Sequence, residues 1–147
     1  MRYFEDLSVG EKHALGTATV SRAEIIEFAE RYDPQPMHTD PEVARQSPYG
    51  GLIASGWHTG ALCMRCLVDG FLSETATRGA LGVDSLRWRN PVRPGDELDV
   101  RGEILDTEEW SETAGLARCG VTATNGDGEE VLSLVGLVLF ARRDTDE

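Results

Sequence analysis

The stretch that most limits how this chain can fold is WHTGALCMRCLVDGF, residues 57–71, one apolar helix-like segment followed by almost nothing but strand-like chain. Its apolar residues wrap most of the way round, the pattern of a helix buried on several sides. Gly60 and Gly70 each weaken such a helix by up to ~1 kcal/mol relative to alanine. Packing must therefore hold it, and Gly60 is expected to admit a close approach. After Gly79 the pattern turns to β: Ala80–Trp88, then Glu97–Leu105 with Leu98, Val100 and Ile104, then Glu112–Thr124. The last candidate, Val131–Phe140, is the nearly continuous apolar run expected of a strand covered on both faces. Pro94-Gly95-Asp96 and Asn125-Gly126-Asp127-Gly128 supply turns. A helix followed by a segregated set of antiparallel strands is an α+β arrangement.

Upstream of the helix, the first ten residues read as an irregular lead-in and Ala14–Val20 as a strand. Ser21 and Glu24 form a capping box, and Ile25, Phe28 and Ala29 recur at helical spacing until Tyr32. Residues 33–40, DPQPMHTD, are expected to be irregular, because Pro34 and Pro36 lack backbone donors and push their predecessors toward extended conformations. Asp40 can then cap a short turn opened by Pro41, and Ser47–Gly51 reads as a loop.

At 147 residues the chain is the size of a single domain, taken as residues 1–147. A domain of this size buries ~68–70% of its unfolded surface without metal or disulfide staples. No run approaches the ~20 apolar residues that span a bilayer, and acids stand where a signal peptide would be apolar. The three cysteines suit a reducing compartment, so a cytoplasmic protein is expected. A net charge of −12 argues against nucleic acid as a partner, while a local basic pocket still permits a small anionic ligand. There is no cluster of metal-ligand spacing and no phosphate loop, so neither metal nor cofactor is expected. Cys63-Met64-Arg65-Cys66 has CxxC spacing but lies inside the helix, away from the N-terminal turn that stabilises a thiolate, and both cysteines read as core residues.

Of the three histidines, His13 reads as a solvated surface residue and His58 as a polar side chain on an exposed first helical turn. His38 shares a proline-stiffened loop with Asp33, and an acid–base pair needs such rigid placement. Five extended residue steps separate two Cα atoms by ~16–18 Å, so the two side chains meet only if the loop folds back. The residues leave two readings open at this point: a catalytic pair, or a helix-ending aspartate beside a loop histidine.

Asp33-Pro34-Gln35-Pro36-Met37-His38, followed by Tyr49-Gly50-Gly51-Leu52-Ile53-Ala54-Ser55-Gly56, resembles the signature of the MaoC-like dehydratases, which include the (R)-specific enoyl-CoA hydratases. That signature runs Asp-x-Asn-Pro-aliphatic-His and then small-x-Gly at the start of a central helix. Leu86–Asp96 is similar to the family's strand and turn. The resemblance implies a single hot-dog domain, a long central helix wrapped by an antiparallel sheet, assembled as a homodimer or higher homo-oligomer. It implies hydration of a 2-enoyl-CoA to an (R)-3-hydroxyacyl-CoA, with Asp33 and His38 activating one water and the Gly56 N–H receiving the thioester carbonyl. Coenzyme A enters only as part of the substrate. Ser55 and Trp57, which flank Gly56, and Arg87 and Arg93, within reach of phosphates, are candidate substrate contacts. For the arginines the rival role is a solvated charged face. Gln35 stands where the signature has asparagine, and Met64 where some hydratases carry serine. Two other functions fit the same fold: a thioesterase, which would need an acid on or beside the central helix, and a non-catalytic acyl-CoA-binding module.

Overall fold

A computed structural model of the chain describes residues 1–143. A short 3₁₀ turn, Phe4–Asp6, interrupts the lead-in, and β1 follows at Lys12–Thr19. Helix α1 spans Arg22–Tyr32 and begins as its sequence dictates: Ser21 Oγ accepts from Glu24 N–H at 3.1 Å, and the Glu24 carboxylate accepts from Ser21 N–H at 2.9 Å.

The DPQPMHTD segment is not wholly irregular. Pro36–Thr39 forms a single helical turn, α2, closed by Asp40 N–H to Pro36 O at 2.9 Å. The two prolines forbid a helix running through them, but Pro36 sits at the first helical position, where no N–H is needed. Helix α3, Pro41–Arg45, starts on the Asp40 cap, whose side chain accepts from Glu42 N–H and Val43 N–H.

Helix α4, Gly56–Gly70, is the apolar helix. Strands β2 (Thr77–Trp88), β3 (Glu97–Glu109), β4 (Ala114–Thr124) and β5 (Glu130–Ala141) complete one antiparallel sheet in the order β1-β3-β4-β5-β2. The helix lies on one face of this sheet. Cys63, Leu67 and Phe71 from its buried side share a core with Leu98, Val100, Ile104, Val121 and Phe140.

Within one chain α4 is covered on fewer sides than its composition predicts: Trp57 is 60% exposed and Met64 50%. Strand β2, at the sheet's edge, likewise exposes Leu81, Val83 and Trp88. The close approach occurs at Gly70, not Gly60. A Cβ at Gly70 would lie 2.7 Å from the Leu15 carbonyl oxygen, whereas one at Gly60 would meet nothing within 4 Å. His13 is not a solvated residue either. It belongs to β1, packs tilted against Phe71 with ring centroids 4.5 Å apart and lies 2.6 Å from the Glu11 carboxylate. Among the described residues no helix is long and apolar enough to cross a membrane.

Candidate active site

Asp33 ends α1, with its N–H donating to Ala29 O at 2.8 Å. The α2 turn then reverses the chain and brings His38 Nε2 to 3.5 Å from Asp33 Oδ2. The fold-back that the pair requires is thus supplied by four residues opening on Pro36. His38 is buried, and its Nδ1 lies 2.8 Å from the Ile53 carbonyl oxygen. A carbonyl only accepts, so this contact puts a hydrogen on Nδ1 and leaves Nε2 facing Asp33.

The Asp33 carboxylate has two further partners. Ser55 Oγ donates to Oδ2 at 2.7 Å, and Gln35 Nε2 donates to Oδ1 at 2.6 Å. The Ser55 hydroxyl foremost, then the Gln35 amide, hold the Asp33 carboxyl below the usual carboxylate range, with the nearby His38 charge adding to the effect. The longer glutamine side chain still reaches this carboxylate. Ser55 itself is fully buried, and its Oγ also accepts from Trp57 N–H at 3.3 Å, capping α4.

Gly56 is the first residue of α4, and among the described residues its N–H meets no acceptor. Such an N–H, aligned with the positive end of the helix dipole, suits an oxygen that gains negative charge. A cavity of about 320 Å³ brings Gly56 together with His38, Tyr49, Thr59, Trp88 and Asn90. A second, separate cavity of about 430 Å³ lies against the same helix one turn on, between Gly60, Cys63, Met64 and Leu67 on one side and Ala80, Gly82 and Val83 of β2 on the other. Its lining is almost entirely apolar.

The remaining predicted contacts are placed as follows. Ser55 points at Asp33. Trp57 is exposed and packs edge-on against Trp88 at 5.1 Å. Arg87 is exposed, and among the described residues its guanidinium reaches only the adjacent Leu86 carbonyl, at 2.9 Å. Arg93 donates to Tyr49 O at 2.7 Å and so ties the 47–51 loop to the turn before β3. His58 is buried, not exposed: its ring stacks on Phe28 at 4.7 Å, and its Nδ1 has no hydrogen-bond partner among the described residues. Burial pushes the Cys63 thiol up to about 12, as befits a core residue. Among the described residues no three His, Cys, Asp or Glu side chains cluster as metal ligands.

Besides the His38–Ile53 hydrogen bond, two contacts at the site were not foreseen from the sequence. One is the Ser55–Asp33 hydrogen bond, of which the only trace is a serine preceding a glycine at a helix start, an ordinary cap signal. The other is Trp88 Nε1 donating to Gly56 O at 2.9 Å, for which no local pattern exists.

Residues 7–125 match the family described as MaoC like domain. The 3-hydroxybutyryl-CoA dehydratase of Methylorubrum extorquens is 32% identical over 144 residues, covering 97% of this chain and 86% of that protein. Among solved structures, a MaoC-like dehydratase from Rhodospirillum rubrum superposes with a TM-score of 0.88 at 40% identity, over 97% of this chain and 99% of that one. An R-hydratase from Pseudomonas aeruginosa superposes with a TM-score of 0.74 at 25% identity, over 97% and 86%. A Mycobacterium tuberculosis protein with a double hot-dog fold, 19% identical, matches 99% of this chain and 46% of its own with a TM-score of 0.78, so the architecture is the hot-dog fold.

Proposed function

Because the chain belongs to the MaoC-like family of hydratases and dehydratases, we propose that it adds water reversibly to a 2-enoyl-CoA to give an (R)-3-hydroxyacyl-CoA. The observation that carries this reading is the 3.5 Å separation of His38 Nε2 from Asp33 Oδ2, with His38 and the unengaged Gly56 N–H lining one cavity. A 2-enoyl thioester is electrophilic at C3. A water held between the two side chains gives its proton to one of them as its oxygen bonds to C3. Charge then moves onto the thioester oxygen, where the Gly56 N–H stabilises it, and a proton returned to C2 from the same face completes a syn addition. Acid–base help of this kind is worth ~10²–10⁴-fold.

The same reading gives the other surfaces their uses. The apolar cavity beyond Gly60 receives the acyl tail. Arg87, exposed and facing no carboxylate partner among the described residues, meets coenzyme A phosphate, while Arg93 acts by holding the Tyr49 loop. The exposed apolar edge of β2 packs against a second copy of the chain. Coenzyme A is needed only as part of the substrate, and the setting is cytoplasmic. A thioesterase is less well supported. The one acid of α4, Asp69, is paired with Arg65 at 2.7 Å near the far end of the helix from Gly56.

Loss of crotonyl-CoA absorbance on adding the protein tests the reading, with D33N and H38A as controls. Each variant is expected to lose at least ~10²-fold in turnover. Release of free thiol without hydration would assign a thioesterase, and tight acyl-CoA binding without turnover a binding module. Near wild-type turnover in either variant would remove the pair from the mechanism.

A further inference from the structure

We infer that Ser55 is a positioning residue whose single hydroxyl locks the Asp33 carboxylate to the first turn of α4, so that the acid–base pair and the Gly56 N–H are held as one unit. The inference rests on the function proposed above. A capping serine needs only to accept from the helix, and Ser55 does so from Trp57 N–H at 3.3 Å. Its proton remains to be placed, and it goes to Asp33 Oδ2 at 2.7 Å, 22 residues away in sequence. The side chain is fully buried, so it has no competing water, and it cannot touch a substrate directly.

The neighbouring backbone makes the same connection to the other member of the pair. Two residues earlier, Ile53 O accepts from His38 Nδ1 at 2.8 Å. The strip thus addresses both members of the pair, Ile53 through its carbonyl to His38 and Ser55 through its hydroxyl to Asp33, and Gly56 offers its N–H. The strip is pinned on both sides, by Ile53 N–H to Met37 O at 3.1 Å and Ala54 N–H to Val92 O at 2.8 Å. Gln35 grips the other Asp33 oxygen, but it is exposed and lies on the same short loop, so it carries no link to α4.

The test compares wild type, S55A and S55T by carboxyl ¹³C NMR titration of Asp33 and by the pH profile of kcat/KM. A hydrogen bond to the charged form lowers a carboxyl pKa. Removing the hydroxyl should therefore raise the Asp33 midpoint and move the acid limb of kcat/KM up with it. The expected fall in kcat is roughly tenfold or more with a smaller change in KM, the mark of a group needed only in the transition state. S55T, which keeps both donor and acceptor, should recover most of each effect. If S55A does not fold, S55C, of similar volume and a weaker donor, is measured in the same way. An Asp33 midpoint unmoved by loss of the hydroxyl, or a threonine variant indistinguishable from alanine, would overturn the proposal and leave Ser55 a simple cap. The titration needs no turnover, so a wild-type protein inert toward crotonyl-CoA would sink the proposed function while the Ser55–Asp33 link is still judged.

Discussion

The indole of Trp88 occupies the place where a side chain at residue 56 would begin. Its Nε1 donates to Gly56 O at 2.9 Å, and three indole atoms lie 2.3–2.6 Å from the position of a Cβ built on Gly56. Glycine is therefore required here by a neighbouring ring, and β2 is tied through that ring to the first turn of α4. G56A should displace the indole, break its hydrogen bond and shift the N–H proposed for the thioester oxygen. Removing one such donor costs ~10²–10³-fold in kcat, and displacing it should cost at least ~10-fold, with a change in tryptophan fluorescence. The double variant G56A/W88A, in which the Cβ has room, should recover part of the activity. An unchanged rate in G56A would mean that the first turn of α4 tolerates the shift and does not aim the donor.

Glu11 fastens the lead-in. Its carboxylate accepts from Arg2 at 2.7 and 3.0 Å and from Ser8 N–H at 2.7 Å, and it faces His13 at 2.6 Å. The Arg2 guanidinium foremost, helped by Ser8 N–H and His13, holds its carboxyl down to about 2, against an ordinary value of 4.5. A carboxyl depressed in the fold contributes stability that is complete above its unfolded value and is lost as pH falls through the folded one. The melting temperature should thus fall between about pH 4.5 and about pH 2. E11Q should flatten that window and lower the melting temperature at neutral pH by ~2–4 °C, as a loss of ~1 kcal/mol does in a domain of this size. An acid melting profile identical to wild type would refute this.

Local chemistry made much of the fold legible in the sequence. The Ser21–Glu24 box is read from residues three apart and the Asp40 cap from its place before Pro41, and each later strand lies within four residues of its expected ends because apolar patterning and turn residues bound it. Asp33 and His38 were nameable as a pair. Their meeting was not, because the direction of a two-proline loop depends on whether Pro36 stiffens an extended segment or opens a helical turn, and it opens one. The rest of the site was hidden for one reason: Ser55 with Asp33, Ile53 with His38 and Trp88 with Gly56 are contacts across 15 to 32 residues that no short pattern encodes. Gly60 and Gly70 show the same limit. Both weaken the helix alike, and only the placement of β1 decides which one has a backbone against it.

His58 offers a second pH test, of stability alone. The ring is stacked on Phe28 with Nδ1 unpartnered, and burial holds its pKa below the ordinary 6.5, with Glu24 opposing in part. The fold disfavours the charged ring, so the unfolded chain takes up its proton first as pH falls through 6.5. Stability is therefore complete above that value and declines below it. Melting curves at pH 8 and pH 5.5 should show H58L gaining on wild type at the lower pH, since leucine carries no such penalty. A constant difference between the two proteins across this range would mean that His58 takes up its proton as readily in the fold as in the unfolded chain.

The length of acyl chain accepted should be set by the helix side of the apolar cavity. Its volume of about 430 Å³ lies between α4 and β2, and Gly60, Gly82 and Gly136 leave its walls without side chains where larger residues would fill it. Met64 is the longest flexible side chain on the helical wall and is half exposed, so a larger residue there can extend over the cavity without disturbing the buried core. M64W should leave the rate with crotonyl-CoA within a few-fold of wild type, because a four-carbon acyl group ends near Gly56. It should depress kcat/KM for octenoyl-CoA by at least ~10-fold, since each excluded methylene forfeits ~0.8 kcal/mol of burial. M64A should shift the ratio the other way. Equal losses on both substrates would mean that Met64 acts on the carbonyl end, and unchanged ratios in both variants would place the tail elsewhere.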